Sequence, residues 1–509
     1  MWITTSQRCK EIDRLAEQDY GFPASFLMER AGIAVFDAIK EILPEGGRLT
    51  LVCGRGKNGG DGFVVARAAF ESGYPVECLV ACEESELNPE AANQMRIMKG
   101  AGLDPIFSND PRWPRKLECL KCRELIVDAL LGTGLKNPVH GPIKEAIQAI
   151  NRSGVPVVAI DIPSGIDCDT GEELGESVWA LRTITIGTPK PGLFEGIGLE
   201  HSGYWSVADI GYPHALINEP TEAKLLSQEW VAHLLPERLR RFHKGDVGSV
   251  LIVAGSKCMP GAAIMVAKGA LRAGAGLITI AAIQSVCDAV SYHVPEAILM
   301  PLPEEDGYLA AEAADIIAEN RTAYSSAVFG PGLGMSSSVK EFLSLVWKTW
   351  ELPCVIDADA ISHVSEGVHP PQCDIVFTPH PGEMGRIMQA SVAEIQSDRF
   401  KSVRKAADIL QACVVLKGAH SLITEPDQPI LVNQTGNSGM ASAGMGDVLS
   451  GVIGTLLSQE LPAYYAAACG VYWHGEAGDI CARQIGSIGF TATEVADHLP
   501  RARAKITTV

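Results

Sequence analysis

Glycine-rich loops carry the residues of this chain that could do chemistry. In the first half, the segment Gly54–Gly62 (GRGKNGGDG) follows a predicted strand and leads directly into a predicted helix. Glycines at this density let the backbone turn sharply and direct N–H groups at a ligand phosphate near a helix N-terminus. Lys57 adds a positive charge, and a tight turn without a ligand is the competing interpretation. The acidic residue that the usual dinucleotide fingerprint requires after the next strand is missing.

Two further predicted strands of this half end in carboxylates. Asp128 precedes a Gly-Thr-Gly loop, and Asp161 precedes Ser164 in the run DIPSGID. Because the carboxyl ends of parallel strands meet at one edge of a sheet, we expect these loops to converge with Asn58 on one crevice. Asn58, Asp128 and Ser164 would there offer hard oxygen ligands to a cation. A single Asp at a strand end is more often a helix N-cap.

A second set of loops lies in the other half of the chain. Gly446-Asp447 opens a predicted helix, so its backbone N–H groups form an anion hole and Asp447 could accept a proton from an attacking hydroxyl. Lys417, in the run KGAHS, follows a buried strand and supplies a cation for a nucleotide. His380 and Glu383, in TPHPGE, could orient a substrate or, through water, a magnesium ion. A capping or packing role for His380 is the alternative.

Alternating strands and helices must position these loops. In the first half the predicted strands are Leu49–Cys53, Val76–Val80, Leu125–Ala129, Val157–Ile160 and Thr183–Ile186. In the second half they are Val250–Ala254, Leu277–Ala281, Ala327–Phe329, Cys354–Ile356, Ile375–Phe377 and Val414–Leu416. Strand–helix alternation predicts an α/β fold with doubly wound parallel sheets. Where the rhythm lapses we place a linker and lead-in segment, residues 216–243, between domains 1–215 and 244–509.

Composition excludes several classes of function. The 509 residues include 42 Lys+Arg and 61 Asp+Glu, a net charge of −19, so we expect no nucleic-acid partner. No apolar stretch is long enough and free of charge to span a membrane, and the N-terminus does not read as a secretory signal. We therefore expect a cytoplasmic protein without a membrane partner. Gly/Ala-rich helices and the apolar Phe26 and Leu27 leave surface for subunit contacts, so we expect a homo-oligomer.

The motifs of the first half, taken in order, resemble the NAD(P)H-hydrate epimerase domain. They are GxGxNGGDG, DALLGTG, DIPSGxD and TxxKPGL, and the resemblance spans residues 1–215. It implies a Rossmann-like domain that binds hydrated nicotinamide nucleotide and a potassium ion. Relatives usually carry a second Asn where this chain has Lys57, which puts the phosphate contacts there in doubt but leaves Asn58 intact.

The resemblance assigns residues to roles. Asn58, Asp128 and Ser164 are the implied potassium ligands. The implied nucleotide contacts are Lys57, Asn58, Gly59, Gly60, Asp61, Gly132, Thr133, Gly134, Leu135, Lys136, Asn137, Pro138 and Asp161. Epimerisation needs proton movement and stabilisation of a charge-separated ring, so a carboxylate near an ammonium group is a sensible catalytic pair. We assign this pair to Asp161 and Lys190, with a solvated loop lysine as the competing interpretation for Lys190.

The motifs of the second half resemble the ribokinase superfamily and, within it, the ADP-dependent NAD(P)H-hydrate dehydratase. They are HKG, PGAA, GPGLG, TPHPGE, KGAHS and GNSGMASAGMGD, from about Lys224 to the end. The resemblance implies that ADP, or ATP in some relatives, contacts Lys417, Gly418, Ala419, His420, Ser421 and Gly446. It also implies that the hydrated cofactor contacts Ala262, Gly334, His380 and Asp447. Met445 stands where relatives commonly carry Thr.

Both halves thus indicate one damaged metabolite and a bifunctional repair enzyme. The implied reactions are exchange of the R and S forms of NADHX and NADPHX, followed by ADP-dependent dehydration of the S form with Mg²⁺. Two alternatives remain open. A ribokinase-type kinase for a vitamin precursor would explain the GMGD motif but not the N-terminal loops. The first domain could instead be a non-enzymatic nucleotide-sensing or docking module. The sequence does not decide between NADHX and NADPHX or between ADP and ATP.

Overall fold

A computed structural model describes residues 1–508 of the chain. It divides into two compact units, the first spanning Met1–Glu222 and the second beginning at Ala223. Among the described residues, no helix is both long enough and apolar enough to cross a membrane. Each unit is an α/β structure built on its own mainly parallel sheet, as the strand–helix alternation predicts.

The first unit contains eight strands and eight α-helices among the described residues. The strands are β1 (Trp2–Ile3), β2 (Leu49–Cys53), β3 (Val76–Val80), β4 (Ile106–Phe107), β5 (Leu125–Ala129), β6 (Val157–Ile160), β7 (Arg182–Ile186) and β8 (Tyr204–Ala208). The helices are α1 (Ser6–Gln18), α2 (Ala24–Lys40), α3 (Lys57–Glu71), α4 (Pro89–Gly100), α5 (Trp113–Glu118), α6 (Gly141–Ser153), α7 (Gly198–His201) and α8 (His214–Ile217).

The sheet of the first unit has the order β4-β3-β2-β5-β6-β7-β8, and every pairing is parallel. The strand order reverses between β2 and β5, which is where open α/β sheets bind ligands. The central strands β2, β5 and β6 are buried along their whole length because helices cover both faces. This is the Rossmann-like architecture expected for the first half.

The second unit alternates in the same way and ends in three long helices. Its strands are β9 (Ala223–Leu225), β10 (Ser249–Val253), β11 (Leu277–Ile283), β12 (Ile298–Leu302), β13 (Glu304–Glu305), β14 (Tyr308–Leu309), β15 (Ser326–Phe329), β16 (Cys354–Ile356), β17 (Ile375–Phe377), β18 (Cys413–Leu416), β19 (Leu422–Thr424) and β20 (Ile430–Val432). Its helices are α9 (Gln228–Leu234), α10 (Pro260–Ala273), α11 (Gln284–His293), α12 (Ala313–Asn320), α13 (Ser337–Val346), α14 (Asp359–Ser365), α15 (Pro381–Met388), α16 (Val392–Ser397), α17 (Arg399–Leu410), α18 (Met445–Ser458), α19 (Ala463–Gln484) and α20 (Ala492–Thr507).

Strands β12-β11-β10-β15-β16-β17-β18 of this unit form a parallel sheet, again with a reversal of order, here between β10 and β15. Strand β19 extends it as the antiparallel neighbour of β18, and β20 pairs antiparallel with β19. Strand β9 pairs in parallel with β20. The interval 216–243, predicted as a linker and lead-in segment, therefore contains β9 and α9, and the second unit begins inside it.

Most predicted strands agree with the structure to within two residues at either end. The helix after Gly54–Gly62 begins earlier than its apolar pattern indicates, because Lys57 to Asp61 already lie in its first turns. Before β2 the chain forms α1 and α2. The sequence analysis missed nine strands, seven of which have only two or three residues: β1, β4, β8, β9, β12, β13, β14, β19 and β20.

Candidate active sites

The carboxyl edge of the first sheet opens into a cavity of about 840 Å³. Eleven of the predicted site residues line it, namely Lys57, Asn58, Asp61, Gly132, Thr133, Gly134, Leu135, Lys136, Asn137, Pro138 and Asp161. Lys190, from the loop after β7, lines it too. The loops that follow β2, β5, β6 and β7 therefore converge on one cavity, because parallel strands bring their carboxyl ends to the same edge.

Gly59 and Gly60 are absent from the cavity lining and have a packing role instead. A Cβ on Gly59 would lie 1.9 Å from the carbonyl oxygen of Gly54, and a Cβ on Gly60 would lie 2.6 Å from Sδ of Met28. The N–H group of Gly60 donates to the carbonyl of Gly56 at 3.1 Å. These glycines therefore let α3 start against the end of β2 and pack against α2.

Asn58, Asp128 and Ser164 meet around the backbone of Leu131. Asp128 is fully buried, and its two oxygens accept from Ser164 Oγ at 2.6 Å and from Ser164 N at 2.8 Å. Asn58 Nδ2 donates to the carbonyl of Leu131 at 2.8 Å, and Leu131 N donates to Ser164 Oγ at 2.8 Å. The buried Oδ1 of Asn58 has no hydrogen-bond donor among the described residues. Burial raises the pKa of Asp128 to about 6, against the opposing effect of its hydrogen bonds.

Asp161 and Lys190 form a buried ion pair at the cavity wall. The ammonium group of Lys190 donates to Asp161 Oδ1, to Thr185 Oγ1 at 3.0 Å and to the carbonyl of Ile186 at 2.9 Å. Burial alone would lower the pKa of Lys190, but the charge and hydrogen bond of Asp161, together with two nearby thiols, reverse the effect and the net shift is upward. Lys190 is only 2% exposed, which excludes the solvated loop lysine that was the competing interpretation.

Asp161 adopts an unusual backbone conformation, with φ at 72°. Non-glycine residues occupy this left-handed region at a cost of about 1–3 kcal/mol and usually do so where the surroundings demand it. Here the backbone N–H of Ile186 donates to Asp161 Oδ1 at 3.0 Å, which fixes that oxygen. The other oxygen, Oδ2, lies toward the loop that contains Gly132, 3.6 Å from the point where a Cβ on that glycine would lie.

The structure adds residues from α1 and the loop after β8 that sequence reasoning missed. Asp13 Oδ2 accepts from Lys57 Nζ at 3.0 Å, and the hydroxyl of Tyr212 donates to Asp13 Oδ1. Asp13 and Tyr212 line the same cavity as Asp61. Burial, followed by the charge of Asp161, raises the pKa of Asp61 well above its usual range. No local motif marks Asp13 or Tyr212, so only the tertiary fold could reveal them.

In the second unit, a cluster of charged side chains lies at the carboxyl ends of β16, β17 and β18. Lys417 Nζ is 2.9 Å from Asp357 Oδ1 and 3.8 Å from Glu383 Oε2. Burial alone would lower the pKa of Lys417, but Asp357 and Glu383 reverse the shift and raise it. Burial, and then the charge of Asp357, raises the pKa of Asp447 to about 7.

The loop that was predicted to form an anion hole begins α18. Gly444 has φ at 87°, a conformation that favours glycine, and the helix starts at Met445. A Cβ on Gly446 would lie 3.3 Å from Lys417 Nζ and 3.9 Å from Asp357 Oδ2. The exposed N–H groups of this first turn, the Lys417 ammonium and the carboxyl of Asp447 are therefore close together. Such an arrangement can hold a phosphoryl group next to a base.

The KGAHS segment is ordered mainly through its backbone. Gly418 has φ at 143°, and its carbonyl accepts from Ser421 Oγ at 3.0 Å. The guanidinium group of Arg399, at the start of α17, donates to the carbonyl of Ala419. His420 Nδ1 is 3.0 Å from the carbonyl of Asn433. The loop therefore has a fixed shape in which to receive a nucleotide.

His380 is the N-cap of α15, which was the alternative interpretation of this residue. Its Nδ1 accepts from Gly382 N at 2.9 Å, and Glu383 Oε2 accepts from His380 N at 2.8 Å. The imidazole remains about half exposed, so its Nε2, 3.4 Å from Glu383 Oε1, is open to a ligand. Capping and substrate contact are compatible at this position.

Ala262 lies in the first turn of α10, which packs against the loop after β15 that contains Gly334. Gly332, in the GPGLG run, has φ at 66°, and a Cβ there would lie 2.8 Å from Cβ of Ala262. Gly334 N donates to Asp359 Oδ2 at 2.8 Å, and the carbonyl of Gly334 is 3.0 Å from Nε2 of His363. Asp359, which holds Gly334, and Asp357, which pairs with Lys417, were not singled out from the sequence. The signal was available, since the run VIDADA places carboxylates at the end of a buried strand.

Comparison with known proteins gives matches over nearly the whole chain. The NAD(P)H-hydrate dehydratase family model matches residues 250–501, and the model for the YjeF-related protein N-terminus matches residues 24–192. The bifunctional NAD(P)H-hydrate repair enzyme Nnr of Coxiella burnetii is 39% identical, over 97% of this chain and 98% of that protein. The protein of the same name from Moorella thermoacetica is 36% identical, over 98% of this chain and 96% of that protein.

Solved structures match the second unit. An ADP/ATP-dependent NAD(P)H-hydrate dehydratase from Bacillus subtilis, co-crystallised with ATP and Mg²⁺, is 33% identical with a TM-score of 0.50. The match covers 55% of this chain and 97% of that chain. A ribokinase-like superfamily protein from Enterococcus faecalis is 25% identical with a TM-score of 0.51, covering 57% of this chain and 98% of that chain. The ribokinase-like fold predicted for the second half is therefore confirmed.

Proposed function

The chain belongs to the family of bifunctional NAD(P)H-hydrate repair enzymes, and from this premise we propose that it returns hydrated nicotinamide nucleotides to use in two reactions. Residues 1–215 interconvert the R and S forms of NADHX and NADPHX. Residues 244–509 dehydrate the S form at the expense of ADP, and residues 216–243 connect them. The observation that carries the proposal is the presence of two separate charged sites, one in each unit, at the carboxyl edges of two sheets.

In the first reaction, Asp161 and Lys190 are the proposed catalytic pair. Inversion at the carbon that bears the hydroxyl passes through a charge-separated nicotinamide ring, which a fixed carboxylate can stabilise. Lys190 and the N–H of Ile186 hold Oδ1 of Asp161, so Oδ2 is left for the substrate. The proposed substrate contacts are the Lys57–Asp61 and Gly132–Pro138 segments, with Gly59 and Gly60 acting through the backbone.

The residues around Leu131 fit a potassium ion. The buried Oδ1 of Asn58 lacks a donor among the described residues, and burying such an oxygen is costly unless a cation or donor satisfies it. Asp128 and Ser164 add a carboxylate and a hydroxyl oxygen, the hard ligands that such ions prefer. Asn58, Asp128 and Ser164 are therefore the proposed ligands. The ion would supply a fixed positive charge next to the nucleotide loops.

In the second reaction, Asp447 is the proposed base. Removing the proton from the substrate hydroxyl lets that oxygen attack the terminal phosphate of ADP, while the N–H groups around Gly446 stabilise the phosphoryl group in transfer. Phosphate is a far better leaving group than hydroxide, so it departs from the carbon, and loss of a proton from the neighbouring ring carbon then restores the dihydronicotinamide ring. Ala262, Gly334 and His380 are the proposed contacts of the hydrated cofactor. Lys417–Ser421 and Gly446 are those of ADP.

Mg²⁺ is the proposed metal of this second reaction, since the Bacillus subtilis relative was crystallised with ATP and Mg²⁺. Its chemistry is the neutralisation of charge on the phosphate oxygens. The donor set fits, because the carboxylates of Glu383 and Asp447 lie on the same edge of the sheet as Lys417. Glu383 and His380 would hold the ion through water.

Turnover of purified hydrates tests both activities. The intact chain, given S-NADHX, ADP and Mg²⁺, should restore the near-ultraviolet absorbance of the dihydronicotinamide ring. Given R-NADHX, it should do so only after conversion to the S form, and Asp161→Asn should remove that step above the spontaneous rate. A stable phosphorylated product without return of absorbance would instead identify a small-molecule kinase.

We further propose a cytoplasmic homo-oligomer with small-molecule substrates and no nucleic-acid or membrane partner. The net charge of −19 opposes binding to phosphate backbones. Light scattering of the purified chain across a concentration series measures the oligomeric state, and a mass equal to one chain throughout would contradict the expected oligomer.

A further inference from the structure

Asp357 connects Lys417 with Ser450, two residues that the sequence analysis did not relate to each other. It follows β16 directly and is only 1% exposed. Its Oδ1 accepts from Lys417 Nζ at 2.9 Å, and its Oδ2 accepts from Ser450 Oγ at 2.8 Å. Ser450 is fully buried in the second turn of α18. One carboxylate therefore joins the end of β16, the end of β18 and the helix that carries Asp447.

This link determines where the Lys417 ammonium lies. Its nitrogen is 3.3 Å from the point where a Cβ on Gly446 would be, directly at the first turn of α18. Glu383 lies farther from it, with 3.8 Å between the charged atoms. A lysine has a flexible four-carbon stem and about 2 kcal/mol of rotamer entropy, so without a fixed partner its charge would occupy many positions. Asp357 supplies that partner.

The backbone around Asp357 is held in a costly conformation. Ala358 has φ at 50° and ψ at −120°, outside the regions that residues with a Cβ prefer. On one side of Ala358, the carboxylate of Asp357 accepts from Lys417 and Ser450. On the other side, the carboxylate of Asp359 accepts from Gly334 N at 2.8 Å. The strain persists because both carboxylates are tied to groups on other elements. In this conformation the carboxylate of Asp357 faces Lys417, and the carboxylate of Asp359 faces the GPGLG loop.

We propose that Asp357 is a positioning residue that fixes the Lys417 ammonium at the N-terminus of α18, where this charge meets the phosphoryl group during transfer. The inference rests on the proposed dehydratase reaction. A charge that is already in place stabilises the transition state without reorganisation, and this is the source of most electrostatic catalysis. Ser450 completes the arrangement by holding the second oxygen of Asp357.

Asp357→Asn is the decisive variant, because it keeps the shape and one acceptor but removes the charge. We expect kcat for dehydration of S-NADHX to fall about 10²-fold, the usual effect of removing one preorganised charge contact, while KM for ADP changes little. The matched control is Asp315→Asn, the same substitution at an exposed position of α12, which should leave both constants unchanged. Unchanged kcat in Asp357→Asn would overturn the proposal.

A double-variant cycle separates positioning from a general structural role. If Asp357 acts through Lys417, then Asp357→Asn combined with Lys417→Met should be no slower than Lys417→Met alone. If the two substitutions instead lower kcat independently, so that their fold-losses multiply in the double variant, the proposal is overturned. The double variant also removes both buried charges together, so the comparison remains decisive even if Asp357→Asn alone folds poorly. Wild-type turnover is measured in parallel, and its absence would refute the dehydratase function itself rather than the role of Asp357.

Discussion

The ammonium group of Lys190 has no proton left for a substrate, because Asp161, Thr185 and Ile186 accept all three. Lys190 therefore acts as a fixed positive charge beside Oδ1 of Asp161. Asp161 in turn is held by the backbone N–H of Ile186, in a left-handed conformation. Within the proposed catalytic pair, the reactive position is consequently the Oδ2 atom of Asp161.

Breaking this pair should cost stability as well as activity. Lys190→Met leaves the Asp161 carboxylate buried without its counter-ion, and we expect a loss of about 3–5 kcal/mol in the free energy of unfolding. The double variant Lys190→Met with Asp161→Asn should recover part of this loss, yet remain unable to exchange the R and S hydrates. Denaturant unfolding and chromatographic separation of the epimers are the measurements. Full stability in Lys190→Met would contradict the ion pair.

Potassium should stabilise the folded protein. A ligand that binds only the native state raises its stability with concentration, so the unfolding temperature of the first unit should rise in KCl relative to choline chloride at equal ionic strength. Asp128→Asn should remove this response because it removes the anionic ligand. The control is Asp104→Asn, at an exposed position of the same unit. Equal unfolding temperatures in the two salts for the wild type would argue against the proposed potassium site.

Dehydration should depend on pH through Asp447. Its pKa is about 7, so below that pH the proposed base is protonated, and kcat should rise about tenfold per pH unit until it levels off near neutrality. Asp447→Asn should lower kcat by about 10²–10⁴-fold and remove this dependence. A wild-type rate that is flat between pH 5 and 6 (roughly one to two units below the pKa) would contradict the role of Asp447 as base.

The raised pKa of Asp447 also predicts how the stability of the fold varies with pH. Between the ordinary pKa of 3.8 and about 7, the folded state keeps a proton on Asp447 that the unfolded state has lost. By linkage, Asp447 makes stability fall as pH rises through this window. The stability of Asp447→Asn relative to that of the wild type should therefore be greater at neutral pH than at pH 4 (about the unperturbed pKa of Asp). Urea unfolding at both pH values measures the difference, and an equal difference would contradict the raised pKa.

Two glycines of the first unit should respond differently to alanine. At Gly59 the added Cβ would lie 1.9 Å from a backbone oxygen. Ordinary overpacking costs about 1–3 kcal/mol, and Gly59→Ala should lower the free energy of unfolding by at least this amount. At Gly134 no atom lies within 4 Å of the added Cβ, so Gly134→Ala should unfold like the wild type. If the loop contacts substrate, Gly134→Ala raises KM for epimer exchange. Thermal unfolding of both variants checks the contrast, which similar shifts would refute.

The class of fold and the place of both sites follow from the sequence alone. Strands such as Leu49–Cys53 and Cys354–Ile356 are recognisable because they are buried on both faces and read as mainly apolar runs. Parallel strands need crossover helices, so the loops that follow them must gather at one edge. The convergence of Asn58, Gly132 and Asp161 on one cavity follows from this rule.

Which side chains pair with each other depends on the tertiary structure. Asp13 meets Lys57, and Asp357 meets Lys417, across long separations in sequence that no local pattern reports. The burial of Lys190 and the packing role of Gly59 likewise depend on neighbours from other elements. Periodicity in a sequence records whether a residue faces the core. Partner choice depends instead on the distances between loops, and these exist only once the sheets have formed.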